Sequence, residues 1–146
     1  KEAGAYIVAT GRGDFPNQVN NSLGFPGILK GALLVRAKGV TDQMAVSASY
    51  SMANYAEKKG INPDYIMPKM DETDMFAFEA ADVAMEAIKN GVARVESDWD
   101  TIYNRTLEDI GQTRQTIDMM MEKEFIKTPD NKLLEDALKK AVDAVK

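Results

Sequence analysis

Apolar positions first gather at Ala5-Tyr6-Ile7-Val8-Ala9-Thr10, a short run whose aromatic and β-branched content predicts a buried strand ending near Thr10. A polar loop follows, and Pro26 then opens an apolar segment from Gly27 to Ala37 in which Lys30 and Arg36 are the only charges. A helix apolar nearly all round must be buried between other layers, and few partners for it exist in this chain. Gly39 and Val40 break it. Thr41 and Asp42 then supply a cap and a first-turn charge for a helix carrying Met44, Val46, Ala48, Tyr50, Met52, Ala53 and Tyr55, which closes at Lys58-Lys59-Gly60. Two prolines fix the connection Ile61 to Pro68 as extended chain.

The next stretch, Lys69 to Asp74, offers acidic and hydroxyl residues for the start of a helix running to about Lys89. Its apolar face is Phe76, Ala80, Val83, Ala84, Ala87 and Ile88, and Asn90-Gly91 closes it. Ser97-Asp-Trp-Asp100 has the spacing of a capping box, with Asp in place of the usual Glu, and opens a long helix. Along it Trp99, Ile102, Tyr103, Leu107, Ile110, Ile117 and Met120 recur at helical spacing. A last helix opens at Thr128-Pro129 with Leu134, Ala137, Leu138, Ala141, Val142 and Val145 on one face. One short strand and about five helices make the chain mostly α, too lopsided for a complete α/β domain.

Composition narrows the chemistry. The 146 residues suit one ordinary domain, and 45% hydrophobic with 28% charged residues is normal for a globular chain. A net charge of -5 leaves no basic surplus for phosphates and argues against nucleic acid. The balance is uneven: residues 1–60 carry seven Lys/Arg against four Asp/Glu, and residues 61–146 carry eleven against nineteen. A difference of that size is ordinary surface composition, although a mildly basic loop-bearing half would also suit an anionic ligand. With neither cysteine nor histidine, thiolate chemistry, disulfides and imidazole bases are excluded. Apolar runs fall short of the roughly 18–20 residues of a membrane span, and no signal peptide is visible, which predicts the cytoplasm and no membrane partner. A start at Lys1, a few residues before a core strand, predicts a cleaved or truncated product.

The loop itself carries the candidate chemistry. Gly11 and Gly13 let the backbone turn, Pro16 stops a helix, and Asn17, Gln18, Asn20 and Asn21 display side-chain amides before Pro26. Ligands of open α/β sheets sit beyond the carboxyl ends of strands, where this loop would lie. An amide donates two hydrogens and accepts through one oxygen, so a pair can hold a carboxylate and orient a hydroxyl without adding charge. Asparagines in loops also satisfy their own backbone, and the residues alone leave both roles open for Asn20 and Asn21. Arg12 could draw in an anion, although loop arginines are more often solvated, and Asp14 reads as a turn residue. Met119-Met120-Met121 reads as adaptable packing. The five tyrosines read as packed aromatics with hydroxyls at the rim.

Thr-Gly-Arg-Gly-Asp-Phe-Pro-Asn-Gln-Val-Asn-Asn at 10–21, followed by Phe-Pro-Gly at 25–27 and an apolar helix, closely resembles the late loop of the cofactor domain in prokaryotic NAD(P)-dependent malic enzymes. The resemblance is strong over about residues 3–37, continues to Pro68 and is patchy from Ala87 to Ile126. It departs at Gly13 and Ser22, which leaves the asparagine pair intact. It implies that Asn20 and Asn21 lie against malate and the nicotinamide, with Gly11 and Arg12 on the cofactor side of the same loop. It implies oxidation of malate by NAD or NADP and decarboxylation to pyruvate with Mg²⁺ or Mn²⁺ as electron sink.

In that family the catalytic tyrosine and lysine, the metal ligands and the glycine-rich dinucleotide turn precede the matched region. This chain is therefore expected to hold no catalytic residue and no metal ligand, and to be inactive alone. It is expected to be the C-terminal portion of a Rossmann-type α/β cofactor domain over residues 1–95, with a helical tail over 96–146. That tail would pack on a preceding polypeptide or on a partner subunit in a homo-oligomer. Two other readings stay open: part of another Rossmann-type hydroxy-acid dehydrogenase, or a noncatalytic helical interaction module.

Overall fold

The structure, a computed structural model, describes residues 2–127 and 129–145, with the side chain of Val145 outside the description. Five α-helices follow a 3₁₀ turn at Asn21–Leu23: α1 Phe25–Leu34, α2 Asp42–Lys59, α3 Asp74–Lys89, α4 Trp99–Glu122 and α5 Asn131–Val145. The chain forms two compact units, Lys1–Ile110 and Gly111–Lys146, divided inside α4.

The predominantly helical expectation holds. The strand expected over 5–10 does not form: among the described residues the only pairing there is an isolated parallel bridge between Thr10 and Gln18. Tyr6, Ile7 and Val8 stand exposed. A strand is stable only beside another, and the sequence around it supplies none.

The first unit is organised by α3, which packs against α1 on one side and α2 on another. Ala77, Ala80, Ala81, Ala84 and Ala87 give α3 a smooth buried surface, and Gly31 lets the α1 backbone come onto it. A Cβ at Gly31 would run into the carbonyl oxygen of Ala80 and press on Val83. Val35, Met44, Ala48, Val83, Ala84 and Ile102 fill one core; Leu23, Tyr55, Met75 and Phe76 fill a second beneath the loop. Each fully buried large side chain contributes about 1.5–3 kcal/mol.

Local chemistry sets the helix ends. α1 stops at Leu34, earlier than expected, because Arg36 takes a left-handed conformation (φ 50°) and the Ala37 and Arg36 amides close back on Ala32 and Leu33. The segment after α3 then lies along this corner, with the Arg94 and Val95 amides donating to the Val35 carbonyl at 3.0 and 3.1 Å. Thr41 caps α2 as expected, its Oγ1 accepting from the Met44 amide at 3.3 Å. At α4 the cap is Asp98 rather than Ser97: its carboxylate accepts from the Thr101 amide and hydroxyl, both at 2.8 Å. Aspartate one residue later serves the same three-residue reach, so the capping-box frame shifts.

The long α4 stripe is only partly used. Ile102 is buried in the first unit with Trp99, Tyr103 and Ile110 packed around the cores, whereas Ile117 and Met119, in the second unit, are exposed. In that second unit α5 begins at Asn131, with Asp130 accepting from the Lys132 amide at 2.8 Å. The expected opening at Thr128 lies outside the described residues. Leu133, Leu134, Leu138 and Val142 of α5 are exposed.

The close α1–α3 contact gives a direct test. Gly31→Ala should destabilise the protein by about 1–3 kcal/mol through overpacking. Gly39→Ala, where nothing stands within 4 Å of the added carbon, should leave thermal denaturation nearly unchanged.

Candidate functional site

The loop is a closed excursion between Thr10 and Val19. The Thr10 amide donates to the Asn17 carbonyl at 3.2 Å, and the Val19 amide donates to the Thr10 carbonyl at 2.8 Å. Asn17 is not displayed, as the sequence suggested, but buried. Its Nδ2 donates to the carbonyls of Val8 (3.1 Å) and Pro63 (2.8 Å), and its Oδ1 accepts from the Ile66 amide at 2.9 Å. It does so at φ 56°, a conformation asparagine tolerates better than most residues. One side chain thus ties the approach segment, the loop and the proline-fixed connection together.

Between loop and connection lies an open cavity of about 540 Å³, lined by Gly13, Phe15, Gln18, Tyr65, Met67 and Met70 among others. Neither Asn20 nor Asn21 lines it. Asn20 is half-buried, and its Oδ1 accepts from the Ser22 amide at 3.0 Å, capping the 3₁₀ turn; Asn21 is exposed. The backbone role expected of a loop asparagine is therefore present at Asn20. Gly11 is exposed, with its carbonyl accepting from Gln18 Nε2 at 3.4 Å.

Arg12 is exposed and forms a two-point pair with Asp14, Nε to Oδ1 at 2.9 Å and Nη2 to Oδ2 at 2.5 Å, with its guanidinium 5.0 Å from the Phe15 ring centre. The pair holds the Asp14 carboxyl below its usual range and Arg12 above its own. Asp14 is a turn residue, as read from the sequence, with Arg12 folded onto it.

Beside the cavity, Lys59, Glu72 and Tyr65 form a second polar group: Lys59 pairs with Glu72 at 2.9 Å, and the Tyr65 hydroxyl donates to the same carboxylate at 3.0 Å. Burial pushes the Glu72 carboxyl up, but the Lys69 amide, Lys59 and Tyr65 together outweigh it, so Glu72 lies low. Tyr55 donates to Asp74 at 2.6 Å and is pushed up to about 12, mainly by burial. Tyr103 stacks on Trp99, but Tyr6 and Tyr50 are exposed rather than packed. Among the described residues, no group of three or more His, Cys, Asp or Glu is placed to hold a metal ion. Likewise, none of the described helices is long and apolar enough to cross a membrane.

Glu79 of α3 was not singled out from sequence. It is fully buried, and neither carboxyl oxygen has a hydrogen-bond partner of ordinary geometry. It fills the notch left by Gly24 and Gly27, and a Cβ at Gly27 would collide with it. Burial pushes its carboxyl up to about 8, with the Gly27 amide opposing. The signal was available: Glu79 sits three residues after Phe76 and four before Val83, inside the apolar stripe.

The loop leads into α1, which packs closely on α3 along one side and leaves Phe25, Leu29 and Leu33 exposed on the other, although its apolar sequence predicts burial nearly all round. Residues 5–90 match the family model described as malic enzyme, NAD binding domain, and the chain belongs to the malic enzyme family. It is 41% identical over 106 residues to a bifunctional malic/malolactic enzyme of Bacillus subtilis, covering 73% of this chain and 26% of that protein. It is 36% identical over 91 residues to an NAD-dependent malic enzyme of Geobacillus stearothermophilus, covering 62% and 19%. The crystal structure of Entamoeba histolytica malic enzyme superposes with a TM-score of 0.92 at 54% identity, covering 99% of this chain and 30% of that one. The chain thus spans less than a third of the length of these relatives.

Two variants test the local physics. Asn17→Ala leaves three backbone groups without their partner and should lower stability by about 1–3 kcal/mol, with faster proteolysis of the 11–19 loop. For Glu79, the unfolded carboxyl ionises near 4.5 and the folded one near 8, so wild-type stability falls as pH rises through that window and levels off above it. Glu79→Gln abolishes the titration. Its melting temperature relative to wild type should rise between pH 5 and 8, by up to about 1.4 kcal/mol of stability per pH unit.

Proposed function

We propose that this chain is part of a malic enzyme, an oxidoreductase that oxidises malate with NAD or NADP and releases pyruvate and CO₂. The observation that carries the reading is the family match over residues 5–90 together with the 0.92 superposition on a malic enzyme. Residues 1–95 complete the NAD(P)-binding domain, and 96–146 form a helical tail. The exposed Tyr6-Ile7-Val8 run is what a strand looks like before its sheet is supplied by the preceding polypeptide. The exposed leucines of α5 call for cover by that polypeptide or by a partner subunit in a homo-oligomer. A cytoplasmic enzyme fits these features.

Within that enzyme Asn20 and Asn21 are the substrate and cofactor contacts of this chain, with Gly11 and Arg12 beside them. The 3₁₀ turn fixes Asn20 by its Oδ1 and leaves its Nδ2 as a donor toward a carboxylate, while Asn21 offers both donor and acceptor. Two neutral amides orient malate without adding charge, a positioning effect rather than proton transfer. A bound nicotinamide cofactor would supply the hydride acceptor, beside the loop residues Gly11, Arg12, Asn20 and Asn21. On this reading the ligands for Mg²⁺ or Mn²⁺ come from the polypeptide outside this chain, as the family resemblance implies. Catalysis by the isolated chain is not expected.

In the complete enzyme, Asn20→Ala and Asn21→Ala should each lower kcat/KM for malate by about 10- to 100-fold, the loss expected for one hydrogen bond to a charged group. Unchanged malate kinetics in both variants would sink the assignment.

A further inference from the structure

Gly24 joins the candidate site to the interior. It ends the 3₁₀ turn, its amide donating to the Asn21 carbonyl at 3.2 Å, and its own carbonyl accepts the first bond of α1 from Ile28 at 3.1 Å. No side chain caps α1 at this position. The first turn has little to offer another partner, because Pro26 lacks an amide hydrogen and the Gly27 N–H acts on the Glu79 carboxyl. What stands there is Glu79: a Cβ on Gly24 would lie 3.4 Å from its Oε1, and one on Gly27 would overlap its carboxyl. Two glycines in four residues make room for one carboxyl group.

We infer that Glu79 is the positioning residue of the Asn20–Asn21 turn, acting through Gly24 and Gly27, and that its protonation state sets the geometry of that turn. As a neutral acid it fills the glycine notch by shape. Once ionised it draws the Gly27 amide and the positive end of α1 toward itself, since an anion at a helix N-terminus is stabilised by free N–H groups and the helix dipole. Movement of the first turn of α1 carries Gly24, and with it Asn21. The raised affinity of this carboxyl for its proton puts the transition near neutral to mildly alkaline pH.

Among the described residues, the charged side chains on the helices around Glu79 have partners elsewhere. On α1, Lys30 pairs with Asp109 of α4. On α2, Lys58 lies over the Phe78 ring and Lys59 pairs with Glu72. On α3, Asp74 accepts from Tyr55, Asp82 from Trp99 at 2.7 Å, and Glu86 pairs with Lys89. From α2 the Ser47–Asp82 and Tyr55–Asp74 bonds bracket Ser51, whose buried hydroxyl also lacks a partner. The neighbourhood therefore offers Glu79 neutral groups and one helix terminus.

The inference rests on the assignment of Asn20 and Asn21, and the experiment separates the two. In the complete enzyme, hydrogen exchange of amides 20–28, corrected for intrinsic rate, is followed from pH 6 to 9.5 without substrate, beside the KM for malate over the same range. Wild type should show a break near pH 8 in both, with KM changing by about 5-fold or more, the low end of coupling between linked sites. Glu79→Gln should lose both breaks. A wild-type exchange profile without a break overturns the inference even if the variant does not fold, and so does a break that survives in Glu79→Gln. An exchange break removed by Glu79→Gln with a KM that never follows it upholds the hold of Glu79 on the turn, and overturns the link to substrate binding and the Asn20–Asn21 assignment.

Discussion

The first unit depends on how closely α1 can approach α3. Helices normally pack with their side chains between them, but at Gly31 the α1 backbone meets the Ala80 carbonyl directly. The alanines of α3 make that approach continuous, and Val83 closes it. The loop that precedes α1 is therefore mounted on a helix fixed at Gly31, one turn beyond the glycine notch in which its first turn lies. The candidate site inherits its position from this contact.

The same closeness explains why a carboxyl group can sit at the base of the loop. Where α1 begins, the facing residue of α3 is Glu79 rather than another alanine, and the space it occupies exists only because Gly24 and Gly27 carry no side chain. An unpartnered buried acid is costly and is kept neutral by its surroundings over much of the physiological range. Asn17 does the opposite at the other end of the loop: all its polar atoms are satisfied, and it clamps three segments. The asparagine-rich turn is held between a saturated amide and an unsaturated carboxyl.

The apolar surfaces left open are equally informative. The Tyr6-Ile7-Val8 run, Phe25 and Leu33 in the first unit, and Leu133, Leu134 and Leu138 in the second, are exposed large apolar side chains. A chain spanning less than a third of its relatives would be expected to leave such surfaces.

By itself the sequence determined that the chain is helical and where α2 and α3 end, because caps, terminal glycines and apolar spacing act over three or four residues: Thr41, Gly60 and Gly91 do what their neighbours dictate. It also carried the family, through the long motif from Thr10 to Asn21. Other features were decided by residues distant in the chain. Whether 5–10 becomes a strand depends on a neighbour that the sequence around it does not contain. Whether an amide of the loop is displayed or buried was set for Asn17 by Pro63 and Ile66, nearly fifty residues away. Glu79 reads as one charge on a helix until α1 is laid across it, and only the tertiary contact turns a surface-type residue into a buried acid beneath the candidate site.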